Sequence, residues 1–326
     1  MSAIAEDLID RRRLRRKLSF WRVAVIVIVG LAIGAAAYAL SADRMAASGD
    51  QIARVSIEGM ILEDQKLLDL LGQLKDEAAV KAVILRIDSP GGTTVGGEAI
   101  YEAVRAIAAT KPVATEVGTL AASAGYMIAS GADHIVARRT SIVGSIGVIF
   151  QYVDASVLLD TIGVEVNAIK SAPLKAEPSP FAPAPEAAKE MINRLVMDTY
   201  GWFVALVAER RDMSLAEARA LADGSIFSGQ QGLENRLVDA LGGETEVRRW
   251  LEEDRGIAKD LKIVDRKPKD DGFDLSVFAG ARAAIYTVLG LDPRSGSLTD
   301  AVLRKAGHLD GLVSLWQPLG GASPLR

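Results

Sequence analysis

The 326-residue chain contains no cysteine, which excludes disulfide bonds, thiolate-held zinc and thiol catalysis. That absence suits an oxidising compartment. Histidine is almost missing as well. His134 and His308 are the only two, so an imidazole base has just two sources. There is no excess of positive charge: the formal net charge is −4 and the pI about 5.5. The basic residues gather mainly at one end, so nucleic acid is not expected as a partner. No Walker-type phosphate loop is present, because Gly92-Thr93-Thr94-Val95-Gly96-Gly97-Glu98 lacks the lysine that GxxxxGK[ST] requires. No internal repeat is visible.

What the chain does have begins with its amino terminus. Residues 1–22 are basic, with Arg11, Arg12, Arg13, Arg15, Arg16, Lys17 and Arg22, and residues 23–40 carry no charge at all. As a helix, that run crosses most of a hydrocarbon layer of about 30 Å, and Phe20 and Trp21 extend it into the interface. The far side begins Ser41-Ala42-Asp43-Arg44, so the positive-inside rule keeps the basic end in the cytoplasm and exports the chain beyond a linker at 41–51. Cleavage after Ala37-Tyr38-Ala39 is the alternative, but the apolar run exceeds a usual signal core. A retained single-pass anchor is the expectation.

From residue 52 strand and helix signals alternate. Strands are expected at 52–57, 80–87, 113–117, 134–137, 142–149 and 164–169, and helices at 66–77, 98–109, 123–130, 155–161 and 186–211. Such an order predicts an α/β protein with a mostly parallel sheet covered by helices. Ligands then sit at the carboxyl ends of strands, where Gly91-Gly92 and Ser123 both fall.

Ser123 lies among very small residues, Gly118-Thr119-Leu120-Ala121-Ala122-Ser123-Ala124-Gly125-Tyr126, in an apolar run leading into a helix. A serine there is either a helix N-cap or a nucleophile pushed forward on a strand-to-helix turn. Gly91 and Gly92 are either turn residues or unshielded N–H donors that, with the amide of Ala124, hold an oxyanion. Ala121, Ala122 and Gly125 suit a shallow groove for small or aliphatic side chains. His134, in a short strand-like segment, reads as a packed or surface imidazole, and His308 is remote in the tail. The competing base is Lys175, between Leu174 and Ala176 in a proline-stiffened loop, although an isolated lysine is normally a solvated surface residue. To act as a base, its amine must be desolvated from the ordinary value of about 10.4 towards about 7–8.

Taken in order, Asp88-Ser89-Pro90-Gly91-Gly92, Thr119 to Tyr126, Gly144-Ser145-Ile146-Gly147-Val148 and Lys175 resemble signal peptide peptidases of the SppA type, peptidase family S49. Ala222 to Leu233 and Leu237 to Gly242 resemble the carboxyl-terminal part of that family, and the similarity spans about residues 52–250. The resemblance implies a crotonase/ClpP-like core of repeated β-β-α units over 52–255, preceded by one transmembrane helix and followed by an extension at 256–326. It also implies a serine peptidase without metal or cofactor, using a Ser/Lys dyad. In it Ser123 is the nucleophile, Lys175 the general base and Ser145 the residue that orients the lysine, while Gly91 or Gly92 with Ala124 forms the oxyanion hole. Members assemble into rings or domes in which serine and lysine can come from neighbouring subunits. Expected substrates are cleaved signal peptides and other exported, membrane-proximal peptides, and the expected place is the outer side of the bacterial inner membrane. Two features depart from the family pattern. Ser123-Ala124-Gly125 replaces Ser-Gly-Gly, and Pro173-Leu174-Lys175-Ala176-Glu177 replaces the usual Gly-x-x-Lys run, which makes Lys170 the reserve base. The rival readings are a crotonase-type acyl-CoA enzyme, which would need neither export nor the Ser/Lys pair, and a non-catalytic membrane scaffold of the same fold.

Overall fold

A parallel sheet organises the chain. The computed structural model describes residues 49–268 and the backbone of 313–315. Along the first half β1 (Gln51–Ile61), α1 (Gln65–Asp76), β2 (Val80–Thr93), α2 (Thr94–Ala108), β3 (Val113–Ala122) and α3 (Ala124–Ser130) alternate. β1 pairs parallel with β2, and β2 parallel with β3. β3 is long enough to take two further parallel partners in succession. β4 (His134–Ala137) pairs with Ala114–Val117, and β5 (Ile142–Gly144) with Leu120–Ala122.

The second half adds α4 (Ser156–Thr161), α5 (Glu186–Arg210), α6 (Leu215–Ala220), β6 (Ile226–Ser228), α7 (Gly229–Glu234), β7 (Ala240–Leu241), α8 (Glu244–Glu253) and β8 (Lys262–Arg266). β6 lies antiparallel on β5, β7 parallel on β4, and β8 parallel on β1 at the opposite edge. The core sheet therefore runs past the boundary expected at 255. A last strand, β9 (Val313–Leu315), lies antiparallel on the end of β2.

Side chains that alternate across the sheet are buried on both faces. On one face Val83, Leu85 and Ile87 of β2 join Leu67, Leu71 and Leu74 of α1, Ile100 and Val104 of α2, and Phe203 and Val207 of α5. On the other, Ala82 and Ile84 join Ile52, Ala114 and Val136 beneath Val247 and Leu251 of α8. Two-sided burial is why β2 reads as a near-continuous apolar run. α1 is started by Asp64, whose side chain accepts from the N–H groups of Lys66 and Leu67. It is closed by Lys111, whose Nζ donates to the carbonyls of Leu74 (2.7 Å) and Glu77 (2.6 Å).

Several expectations need correction. The strand at 142–149 stops at Gly144, where Gly144 and Ser145 in succession take φ values of 96° and 51° and turn the chain out of the extended region. The strand at 164–169 does not form. Val164, Val166 and Ala168 alternate, but they and Ile169 stay exposed, and no strand among the described residues pairs with them. Gly91 and Gly92 lie inside β2 rather than in a turn after it. Of the apolar residues on α5, Phe203, Leu206 and Val207 are buried, whereas Leu195, Met197 and Trp202 are exposed. Among the described residues no helix is long and apolar enough to cross a membrane. The span expected at 23–40, its basic flank and most of the 256–326 extension lie outside the described residues.

Candidate active site

β3 ends at Ala122, and the chain turns at Ser123 with φ 56° and ψ −118° before α3 begins. For a non-glycine residue that backbone costs on the order of 1–3 kcal/mol, strain that persists only where the surroundings enforce it. The enforcement is visible. The Ser123 N–H donates to the Gly144 carbonyl (2.8 Å), and the Ser123 carbonyl accepts from the Met127 N–H (2.9 Å). Every residue of α3 is buried, and the Tyr126 hydroxyl is pinned to the Leu237 carbonyl at 2.8 Å. Burial raises the phenol of Tyr126 well above its ordinary range, so it remains a neutral donor. The side chain of Ser123 makes no helix cap, so the N-cap alternative lacks its defining hydrogen bond.

The small neighbours of Ser123 serve packing. A Cβ on Gly97 would approach Ala124 Cβ to 3.1 Å, and one on Gly125 would come 3.0 Å from the Ser89 carbonyl. Ala121, Ala122 and Gly125 are buried in the core, which corrects the expectation that they line a groove. Their smallness lets α2 and the end of β2 close on the first turn of α3.

Ser89 shapes that end of β2. Its buried hydroxyl donates to the Gly59 carbonyl (2.6 Å) and accepts from the Gly91 N–H (3.1 Å). Gly91 has φ 112°, and a Cβ on Gly92 would lie 1.8 Å from the Ile61 carbonyl oxygen, so both positions demand glycine. Gly91 spends its N–H on Ser89. The N–H of Ala124 has no acceptor among the described residues. Sequence reasoning gives Ser89 no role of its own, though a serine closing an apolar strand just before Pro-Gly-Gly is the available signal.

Ser145 reaches the same place through strand register. Ala122 pairs with Gly144, so the next residue on each strand, Ser123 and Ser145, are neighbours. Ser145 is buried at 8% exposure, its N–H donates to the Ser225 carbonyl (2.7 Å), and its hydroxyl has no partner among the described residues. Within one chain Ser123, Ala124 and Ser145 are thus adjacent, and Gly91 and Gly92 follow Ser89, whose carbonyl faces Gly125 in the first turn of α3.

The lysines are not. Lys175 is exposed in a turn closed by its N–H to the Ala172 carbonyl (3.1 Å), and no hydrogen bond joins it to Ser123. Lys170 is ion-paired with Glu177. That pair, helped by the Ser179 N–H, holds the Glu177 carboxyl below its ordinary value. Residues 149–181, which carry both lysines, expose Ile149, Val153, Val157, Leu158, Ile162 and Phe181, and α4 within them buries nothing. His134 stacks on Trp250 (4.7 Å between ring centroids, 7° between planes), as expected of a packed imidazole, and His308 lies outside the described residues. Among the described residues no cluster of three or more His, Asp or Glu side chains could hold a metal ion.

A helix-covered parallel sheet with a strained serine at a strand-to-helix turn beside two glycines defines a ClpP-like class of α/β core. The Clp protease profile matches residues 51–155, and that of Peptidase family S49 matches residues 105–258. The chain belongs to peptidase family S49. It is 37% identical over 217 residues to "Putative protease slr0021" of Synechocystis, covering 66% of this chain and 78% of that one. It is 31% identical to "Putative signal peptide peptidase SppA" of Enterococcus faecium, over 81% and 80% of the two chains. It is also 30% identical to the Arabidopsis thaliana "Serine protease SPPA, chloroplastic", over 60% of this chain and 30% of that longer one.

Proposed function

We propose that this peptidase is a membrane-anchored serine endopeptidase in which Ser123 is the nucleophile and Lys175, from a neighbouring copy of the chain, is the general base. The carrying observation is the backbone of Ser123, held at φ 56° and ψ −118° at the β3–α3 turn beside the glycine end of β2. A strained elbow of this kind presents a serine hydroxyl to substrate while the next amide points at the developing oxyanion. An uncharged lysine amine takes the Ser123 proton as Oγ attacks a peptide carbonyl. The resulting ammonium protonates the leaving amine, and water then hydrolyses the acyl-enzyme. The Ala124 N–H, with Gly92 rather than Gly91, whose N–H is taken by Ser89, holds the oxyanion, and the Ser145 hydroxyl, without a partner among the described residues, orients the incoming amine.

Two observations favour a lysine delivered between chains: Lys175 is solvent-exposed within its own chain, and the segment bearing it exposes apolar side chains that lack a packing partner. With the anchor at 23–40 in the bacterial inner membrane and the core on its outer side, substrates are cleaved signal peptides and other exported peptides near that surface. The test is cleavage of a synthetic signal peptide by the full chain in detergent micelles. Ser123→Ala and Lys175→Ala are each expected to lower kcat by about 10³-fold or more, and Lys170→Ala to retain most activity. Full turnover by Ser123→Ala would end this assignment.

A further inference from the structure

β1, β3, α3 and the glycine pair meet at Ser89, a fully buried residue. In the sheet it pairs with Ala121 of β3, which leads through Ala122 into Ser123. Its carbonyl lies 3.0 Å from where a Cβ on Gly125 would stand, so it abuts the first turn of α3. Its hydroxyl accepts from the Gly91 N–H (3.1 Å), closing a Ser-Pro-Gly turn around Pro90. A hydroxyl has a single proton, and the Gly59 carbonyl of β1 at 2.6 Å takes it in preference to the Gly91 carbonyl at 3.4 Å. Donor and acceptor are both used, and no water is needed to satisfy this buried side chain.

Two adjacent glycines create a problem that this arrangement solves. Without side chains at either end, the peptide plane between Gly91 and Gly92 is the least sterically restrained a chain can have. If that plane turned over, a carbonyl would stand where the Gly92 N–H had been, and an oxyanion donor would become an acceptor. Donors stabilise developing charge only when they are fixed beforehand at the place where it appears. The hydrogen bond from Gly91 to Ser89 fixes the residue on which that plane hangs, at a φ of 112°. We propose that Ser89 is the positioning residue of the oxyanion hole: anchored to β1 through Gly59, it locks the glycine peptide with the Gly92 N–H aimed at the carbonyl that Ser123 attacks. The inference rests on the peptidase reading, in which Ala124 and Gly92 supply the donors. Ser89 itself touches no substrate. Its effect falls on the transition state, because a donor directed at the oxyanion adds little to binding of the unreacted peptide.

The full chain and its Ser89→Ala variant are compared in detergent micelles, with Ser123→Ala alongside. Two ligands of one sequence are titrated by calorimetry. A peptide aldehyde adds the Ser123 oxygen to give a hemiacetal whose own oxygen needs the donors, and the matching peptide alcohol binds without reacting. In Ser89→Ala the dissociation constant of the aldehyde is expected to rise about tenfold or more and kcat to fall about as much, while KM and the alcohol stay within about twofold. A fold that is merely loosened weakens both ligands alike. That result overturns the inference, and so does an unchanged aldehyde constant. Hydrogen exchange at the Gly91 amide of the wild type needs no variant: slow exchange is expected in the resting protein, and fast exchange overturns the inference even where Ser89→Ala does not fold. Full turnover by Ser123→Ala sinks the peptidase reading instead, while exchange at Gly91 still decides whether Ser89 holds that amide.

Discussion

At the residue scale the site is made of positions where side chains are forbidden or strained. Gly92 has the least freedom, since a methyl group there would lie 1.8 Å from the Ile61 carbonyl oxygen. Gly92→Ala is expected to cost at least about 3 kcal/mol, at or beyond the upper range of overpacking, read as a lower thermal midpoint. Gly201→Ala, on α5 with nothing near its added methyl, is expected to gain up to about 1 kcal/mol. Equal effects of the two would contradict the close approach of β1 and β2 at the glycine pair. Ser145→Ala tests the neighbouring hydroxyl. With an orienting role, kcat falls about tenfold or more while KM stays within about twofold. A pure KM effect would place Ser145 in substrate binding. Ser123 was legible as a serine set between Ala121-Ala122 and Ala124-Gly125 in a run leading into a helix. The purpose of its neighbours was not, because a small residue that lines a groove and one that lets two helices touch look identical in sequence.

At the element scale, the sequence showed strands whose apolar runs are buried on both faces. It misled where alternation had no partner. Val164, Val166 and Ala168 alternate, yet among the described residues no strand of the sheet pairs with them, and a strand without a ladder does not persist. The end of β5 was hidden for another reason: the positive φ values at Gly144 and Ser145 come from the fit to Ser123 and Ser225, a tertiary demand. The packing of α8 carries a pH prediction. His134 lies against Trp250 of that helix, with Asp239, Arg211, Asp254 and Glu246 around it. Burial lowers its pKa, against the pull of Asp239, so the folded state prefers the neutral ring. Linkage gives the sign. The contribution is fully present above the unfolded value of about 6.5 and is lost as pH falls through the depressed folded value. Thermal midpoints measured at pH 7.5 and 5.5 should fall more steeply in the wild type than in His134→Asn. Equal slopes would show that the imidazole does not titrate into the folded state.

At the scale of the whole molecule, one chain sets Ser123 and Ser145 side by side and leaves Lys175 exposed. On the proposed function, the exposed apolar side chains on 149–181 and the exposed Lys175 are accounted for by an assembly in which that segment of one copy covers the site of the next. Co-expressing Ser123→Ala and Lys175→Ala chains tests the arrangement. Shared sites are expected to recover about one quarter of wild-type activity, because a site works only where an intact serine meets an intact lysine. Sites contained within single chains would recover none. Sequence could place the lysine in a proline-bounded loop but not beside the serine; on the proposed function, a base supplied by a neighbour leaves no trace in the packing of its own chain. The most direct measurement is mass-spectrometric mapping of the adduct formed by a serine-directed fluorophosphonate on the full chain, on Lys175→Ala and on Lys170→Ala. The expected result is one adduct, on Ser123, lost with Lys175 and kept without Lys170. An adduct on another serine, or labelling of Ser123 indifferent to Lys175, would contradict the account.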